Sequence, residues 1–238
     1  MKRIILACAV FALAFTGCNK KTEVTKVADY LYEYEADGYG TEAPVLPDNG
    51  PVDISCSSVR NGNFHGRNLD FKINEICEFI VRTRATAERK HASIGVANPV
   101  FIDITNEKVD AGEDLKSIPW MTMDGINDAG LVCNINVVNK NDIAENAHTH
   151  TNPGKPEIMV MFLVRALLDN CGSVEEAKEF IKEHDIIPVP AGVGGVWDCH
   201  FMIADHDNTV VVEFTGEKGS EVKLVENEHY DQLLQSYV

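Results

Sequence analysis

The sequence has 238 residues and a formal net charge of −16, and 45% of its residues are hydrophobic. This length fits one domain of ordinary size or slightly more, and the apolar fraction is sufficient for a sizeable core. So acidic a chain disfavours nucleic acids and anionic lipid headgroups as partners, because both carry negative charge. The charge does not identify a reaction.

The N-terminus has the features of an export signal. Lys2 and Arg3 precede an apolar run over residues 4–15, which is too short to anchor a protein stably across a bilayer. The Phe-Thr-Gly-Cys sequence that ends at Cys18 resembles a bacterial lipobox. We therefore predict that residues 1–18 are a signal peptide and that the protein is exported, with a lipid on Cys18 as its only attachment to the membrane. An ordinary secretory signal cut nearby is the alternative.

Residues 19–55 are rich in turn-forming and acidic residues. An Asp-Gly-Tyr-Gly run begins at Asp37 and an Asp-Asn-Gly-Pro run begins at Asp48, both typical of turns and linkers. Apolar residues show no periodicity strong enough for a fold. The pattern predicts a linker or propeptide, followed by a globular domain over residues 56–238.

A hairpin opens the predicted domain. Asn61-Gly62 is a strong signal for a two-residue hairpin loop. That loop pairs residues whose numbers sum to 123, so Cys56 is predicted to face Arg67 directly, at a Cβ separation of about 4.5–5.5 Å. A permanent cation at this distance favours the thiolate over the thiol. Taken alone, the pair is also compatible with a structural cysteine beside a surface arginine.

The rest of the domain contains a block of predicted strands, a pair of predicted helices and a second block of strands. After the hairpin, three or four strands are predicted, then two helices, then two further strands, an order that indicates an α+β layered fold. Ser173 and Glu176 form a capping box that opens the second helix. The predicted strands after the hairpin cover residues 78–84, 92–104, 131–138, 200–204 and 209–214, and the helices cover 157–170 and 173–184.

The seven cysteines constrain the chemistry. Two of them, Cys8 and Cys18, belong to the signal region, and the other five are an odd number without CxxC spacing. This pattern argues against a zinc site and against a complete disulfide framework, so at least one thiol is expected to be free. His148 and His150 lie in a polar loop without a carboxylate in a ligand motif, so we predict no metal and no cofactor.

Three stretches resemble the choloylglycine hydrolase family of linear amide C–N hydrolases. Cys56 is followed by His-Gly-Arg-Asn-Leu-Asp at residues 65–70, which is similar to the opening of the family and closest to its acid ceramidase group. Residues 123–131 resemble the family's "DGMNEKGL" segment, and residues 200–213 resemble its pair of acidic strands. The likeness runs from Cys56 to the end of the chain. It implies an N-terminal-nucleophile αββα sandwich.

The resemblance also implies a mechanism. In this family the cysteine becomes a new N-terminus and its thiolate attacks an amide carbonyl, with the freed α-amine as base. Carried onto this sequence, Cys56 is the nucleophile, Arg67 stabilises its thiolate and Asp70 hydrogen-bonds the α-amine. Asn136 is the candidate oxyanion donor and Asn134 the reserve; ordinary hydrogen bonding at a sheet edge is the alternative for both. Cys56 is internal here, so the Ser55–Cys56 bond would have to be cut.

The sequence also departs from the family. The family's later segments carry a Thr-Asn pair and an arginine that complete the site, and the chain ends at Val238 before either. We therefore expect an incomplete αββα sandwich. The predicted function is an exported amidase acting on a small-molecule amide such as a conjugated bile salt, a penicillin V-like amide or an N-acyl amide. The alternative is a catalytically impaired lipoprotein that keeps the fold and only binds ligands. The protein is expected to be lipid-anchored to the bacterial membrane, facing the periplasm or the cell surface, or to be periplasmic after processing at Cys56. Both a monomer and a homo-oligomer are compatible with the sequence.

Overall fold

The structure is a computed structural model that describes most of the chain after residue 22. The described ranges are 23–36, 39–40, 42–46, 54–71, 77–102, 104–112, 114–137, 150–189, 199–215 and 220–226. The predicted signal peptide, with Cys18, lies outside these residues, as does most of the loop predicted to follow residue 138. The backbone of residues 54, 55, 70, 71 and 100 is described, but their side chains are not.

Thirteen strands and three α-helices make up the described part of the chain. The strands are β1 (Glu23–Ala28), β2 (Leu31–Ala36), β3 (Ile54–Asn61), β4 (Phe64–Phe71), β5 (Glu78–Thr83), β6 (Ser93–Ala97), β7 (Thr122–Asn127), β8 (Val132–Val137), β9 (Glu157–Met159), β10 (Asp185–Ile187), β11 (Cys199–Ala204), β12 (Thr209–Thr215) and β13 (Glu221–Glu226). The helices are α1 (Asn106–Asp110), α2 (Leu163–Asn170) and α3 (Val174–Glu183), with short 3₁₀ segments at Pro99–Ile102, Ile118–Met121 and Val160–Phe162.

A nine-stranded sheet organises the fold. Its strand order is β1-β2-β5-β6-β7-β8-β11-β12-β13, and all neighbours are antiparallel except the parallel pair β2–β5. β3 and β4 form a separate antiparallel hairpin, and β9 pairs with β10 in parallel. Within the described part of the chain, no helix combines the length and the apolar character that crossing a membrane requires.

The prediction of an unfolded linker is wrong for residues 23–36, which form two strands of the large sheet. Along β2 every second residue is buried, with Tyr32, Tyr34 and Ala36 on the core face. Glu33 and Glu35 point outward and bind Arg82 of β5 at 2.7 Å and 3.5 Å. The acidic residues favour a linker when the sequence is considered alone, but they form the solvent side of an amphipathic strand whose other side is aromatic. Removal of this segment as a propeptide stays a prediction.

One face of the large sheet is covered by helices. α2 packs on β7 and β8, where Gly125 leaves room for Leu168: a Cβ added to Gly125 would lie 2.8 Å from Leu168 Cδ1. The Cys133 thiol faces the same side and lies 3.5 Å from the carbonyl oxygen of Val164. The core of the protein therefore lies between α2, α3 and the sheet.

The hairpin β3–β4 covers the opposite face. Ser58 and Arg67 of the hairpin bind groups on β8, and Arg60 reaches the turn between β11 and β12. The layers are thus helix, sheet and sheet, as in an αββα sandwich without its second helical layer among the described residues. The predicted α+β class and incomplete sandwich are confirmed.

The predicted helix over 157–170 is wrong at its start. Residues Glu157–Met159 pair with Asp185–Ile187 as strands, and the α-helix begins only at Leu163 after a 3₁₀ turn. The backbone hydrogen bonds of this pairing compete with the first turns of the predicted helix. Ser173 caps α3 as expected, because its Oγ accepts a hydrogen bond from the Glu176 amide at 3.2 Å, while the Glu176 carboxylate accepts one from the Gly172 amide at 2.9 Å.

Candidate active site

The hairpin register differs by two residues from the one predicted. Asn61 pairs with Phe64 and the turn is Gly62-Asn63, so Cys56 faces Leu69 and Arg67 faces Ser58. Gly62 takes a φ of 57°, the sign that a type II′ turn needs at its first central residue. The predicted direct opposition of Cys56 and Arg67 is therefore wrong. Because the shift is an even number of residues, both side chains still lie on one face of the hairpin, as diagonal neighbours.

Arg67 spans this diagonal and contacts three groups. Its Nη2 lies 3.7 Å from Cys56 Sγ and donates a hydrogen bond to the carbonyl oxygen of Ile135 at 2.8 Å. Its Nη1 donates to Asp124 Oδ2 at 3.1 Å. Only 5% of the Arg67 side chain is exposed. The guanidinium is therefore buried between hairpin and sheet, with the thiol at one side and a carboxylate at the other.

Asp124 is a member of this site that the sequence reasoning missed. It stands on β7 next to Gly125, whose face meets α2, so alternation along the strand turns Asp124 toward the hairpin. In the sequence, the Asp-Gly pair stands out only as part of the segment that resembles the family. Strand alternation, together with a glycine on the helix side, was the signal that could have found it. Burial raises the pKa of Asp124, while the Arg67 guanidinium acts to lower it.

Two further titratable groups lie close to the ion pair. Burial raises the pKa of Glu78, at the start of β5, and the charges of Asp124 and Arg67 act on it in opposite directions. His65 lies on the Cys56 face of the hairpin, beside Asn134, and burial lowers its pKa below the ordinary 6.5. The site thus combines one arginine with two carboxyl groups and a histidine that favours its neutral form.

The two asparagines of β8 point into the same layer. Asn136 Nδ2 donates a hydrogen bond to Ser58 Oγ at 2.9 Å, and Asn134 lies beside His65. Both residues are almost fully buried, at 2% and 0% exposure. β8 lies inside the sheet, between β7 and β11, so neither asparagine caps a sheet edge. The role of Asn136 as an oxyanion donor stays a prediction.

The five described cysteines differ in access. Cys56 is partly exposed, while Cys77, Cys133, Cys171 and Cys199 are buried, and all five thiols are free. Burial raises the pKa of Cys171 to about 12 and that of Cys133 further still. Of these five thiols, Cys56 alone is not buried, and it is the one that Arg67 contacts. Asp70 is predicted to hydrogen-bond the α-amine, and its side chain is not among those that the structure describes.

His150 has a carboxylate partner that its sequence context did not reveal. Its Nδ1 lies 2.7 Å from Oδ2 of the buried Asp185, and Glu157 completes a group of three whose ligand atoms lie within 4.8 Å of one another. Such a set is able to hold a metal ion. Two of its members are exposed, however, and Asp185 already accepts a hydrogen bond from the backbone of Asn152 at 2.9 Å. A structural role explains these contacts, because the bonds to Asp185 hold residues 150–152 in place.

Solved structures of amide hydrolases are similar to this chain. Two variants of the conjugated bile acid hydrolase from Clostridium perfringens match with 23% and 21% identity and TM-scores of 0.41 and 0.47. They cover 62% and 77% of this chain, which in turn spans 42% and 56% of theirs. Penicillin V acylase from Agrobacterium tumefaciens matches with 16% identity and a TM-score of 0.40, over 64% of this chain and 42% of its own. No curated protein sequence matches.

A family model decides the relationship. The model described as "Linear amide C-N hydrolases, choloylglycine hydrolase family" matches residues 53–227, which is most of the chain and includes the hairpin, the Asp-Gly strand and the acidic strand pair. The start of the match lies three residues before Cys56, and its end lies just after β13. The resemblance read from the motifs is confirmed: this chain belongs to the choloylglycine hydrolase family of linear amide C–N hydrolases.

Proposed function

We propose that this chain hydrolyses a linear amide through a thioester on Cys56. The observation that carries the proposal is the 3.7 Å contact between Arg67 Nη2 and the Sγ of Cys56. A buried, permanent cation at this distance favours the thiolate, which is the nucleophilic form of cysteine. Family membership supports the reaction class, and the partial exposure of Cys56 gives a substrate access to the sulfur.

The proposed reaction has two steps. The Cys56 thiolate attacks the amide carbonyl, the C–N bond breaks, and the amine leaves with a proton while the acyl group remains as a thioester. Water then attacks the thioester, which releases the acid and restores the thiol. In this scheme Arg67 favours the thiolate, and an amide N–H of Asn136 is the oxyanion donor. Asp70 hydrogen-bonds the α-amine that acts as base once Cys56 is the first residue.

Processing and export belong to the same proposal. Cleavage of Ser55–Cys56, by the chain itself or by another protease, exposes the α-amine. The cut separates residues 56–238 covalently from the signal region and from a lipid on Cys18. The pairing of β2 with β5 supports retention of the preceding segment after the cut, because Tyr32 and Tyr34 remain part of the core. The catalytic part then stays with the lipid-anchored segment at the membrane.

The test uses the exported full chain and three candidate substrates: a conjugated bile salt, penicillin V and an N-acyl amino acid. We expect release of the amine from at least one of them, together with an intact mass that corresponds to a first residue at Cys56. Cys56→Ala abolishes both signals, whereas the matched variant Cys171→Ala, which removes a buried thiol, retains them. Full turnover by Cys56→Ala contradicts the proposal. Binding without turnover by the unmodified chain favours the ligand-binding alternative.

A further inference from the structure

Arg67 is held by two contacts on the large sheet. Nη1 binds the Asp124 carboxylate of β7 at 3.1 Å, and Nη2 binds the carbonyl oxygen of Ile135 on β8 at 2.8 Å. The thiol is the third partner and the only one of the three that the hairpin supplies. The hairpin therefore brings the guanidinium and the thiol together, while the sheet sets the direction in which the guanidinium points.

The two sheet contacts are not equivalent. The Ile135 carbonyl is a neutral backbone acceptor, fixed by β8, and it shares Nη2 with the thiol. Asp124 is a charged side chain that binds the other terminal nitrogen, and 24% of it is exposed. A carboxylate on Nη1 restricts rotation of the planar guanidinium, so that Nη2 keeps facing the sulfur.

We propose that Asp124 is a positioning residue of the Cys56 site, whose carboxylate fixes the Arg67 guanidinium toward the thiol and takes up part of its charge. The inference rests on the proposed function of Cys56. The two effects of the carboxylate oppose each other. Orientation of Nη2 favours the thiolate, whereas the negative charge of Asp124 weakens the positive potential that the sulfur experiences.

Other charged groups lie near the Arg67–Asp124 pair and influence any titration measured at Cys56. Glu78 on β5 interacts with both members of the ion pair, and His65 on β4 interacts with Asp124. Arg60 of β3 acts on His65 but is bound to the turn at Asp205 and His206. On the far side, His200 of β11 pairs with Asn136 and interacts with Glu213. Asp124 is the one among these groups that shares a hydrogen bond with Arg67.

The test is the pH profile of Cys56 alkylation by iodoacetamide in the full chain, with a Cys56→Ala background subtracted. Asp124→Asn keeps a hydrogen-bond acceptor for Nη1 and removes the charge. We expect the midpoint of the profile to fall by about 0.5–1 pH unit, because the guanidinium keeps its place while its charge is no longer shared. Asp124→Ala removes the acceptor as well, so we expect its midpoint to lie above that of Asp124→Asn.

The matched control is Asp128→Asn, an exposed carboxylate just beyond the same strand that pairs with His91 away from the thiol. We expect its midpoint to equal that of the unmodified chain. If both Asp124 variants lower the melting temperature and leave the midpoint unchanged, Asp124 is structural only and the inference is overturned. Asp124→Ser, a smaller neutral acceptor, carries the same expectation if Asp124→Asn does not fold. Amide hydrolysis is measured separately, so an inactive chain with a shifted midpoint rejects the proposed function alone.

Discussion

Two cysteine–arginine neighbourhoods lie on opposite faces of the same sheet. On the hairpin face Arg67 contacts the partly exposed Cys56, and on the helix face Arg165 acts on the fully buried Cys133. Burial raises the pKa of Cys133 well above its usual range in spite of the positive charge of Arg165. A nearby cation therefore does not by itself make a cysteine reactive, because desolvation of the sulfur outweighs the effect of the cation when water is excluded.

The arginines themselves are also held differently. Arg165 shares Asp169 with Arg89, at distances of 2.7 Å and 3.6 Å, and Tyr39 from the segment before the hairpin donates a hydrogen bond to the same carboxylate. Arg89 stacks on the Tyr39 ring at 3.6 Å. Two cations thus depend on one buried carboxylate, which makes this cluster a structural one. Arg67 has its own carboxylate on Nη1, while its Nη2 contacts both the thiol and the carbonyl oxygen of Ile135.

The largest expected effect comes from removing the shared carboxylate on the helix face. Asp169→Asn leaves Arg89 and Arg165 buried without a counter-charge, and such a change typically costs about 3–5 kcal/mol of unfolding free energy. Urea denaturation measures it. Asp128→Asn, in an exposed pair with His91, serves as control and is expected to cost under about 1 kcal/mol. Equal losses in the two variants would contradict the structural reading of the cluster.

On the hairpin face, removal of the cation is expected to lower the reactivity of Cys56. Arg67→Met keeps much of the side-chain volume and removes the charge beside Cys56. We expect the alkylation rate of Cys56 at neutral pH to fall about tenfold, which corresponds to one pH unit in thiolate population. Arg60→Met, which removes a second cation from the same face of the hairpin, should leave that rate near its original value. A rate unaffected by Arg67→Met would remove the distinction between the two faces.

The smallest expected effect is a pH dependence of stability that arises from two histidines on the hairpin face of the sheet. Burial lowers the pKa of His65 and of His200 below the ordinary 6.5, so the unfolded chain takes up protons at a higher pH than the folded one. Their contribution to stability is present above pH 6.5 and is lost as the pH falls toward the folded pKa values. We expect the midpoint of urea denaturation to decrease as the pH falls through this window. The decrease should be smaller in His65→Gln or His200→Gln. Both variants are compared with the unmodified chain over the same pH range.

The sequence was sufficient to predict that Cys56 and Arg67 share one face of the hairpin, but not which residues stand directly opposite each other. Asn-Gly correctly located the hairpin, yet the turn uses Gly62 and Asn63, because the loop can place Gly62 at either central position and only the packed structure decides. The error was harmless, since a shift of two residues preserves the side-chain face. A shift of one residue would have separated Cys56 from Arg67.

Long-range packing explains what the sequence did not reveal. Asp124 lies 57 residues from Arg67 in the chain, and the hydrogen bond between them depends on how hairpin and sheet are stacked. The strands of residues 23–36 were missed for a related reason. Tyrosines between glutamates resemble a polar linker until a neighbouring strand buries the rings, and that neighbour, β5, follows after the whole hairpin.

The parallel pairing of β2 with β5 has a consequence for assembly. A cut at Ser55–Cys56 would leave the tyrosine-bearing strand in the sheet without a covalent link to the rest of the domain. Refolding of the denatured, processed protein then becomes a reaction between two polypeptides, whose yield and apparent stability depend on concentration through mass action. The uncut precursor refolds as a single chain, independently of dilution. If Ser55–Cys56 is cut as proposed, the fold would be assembled once, before scission, and would depend on that order of events for its architecture.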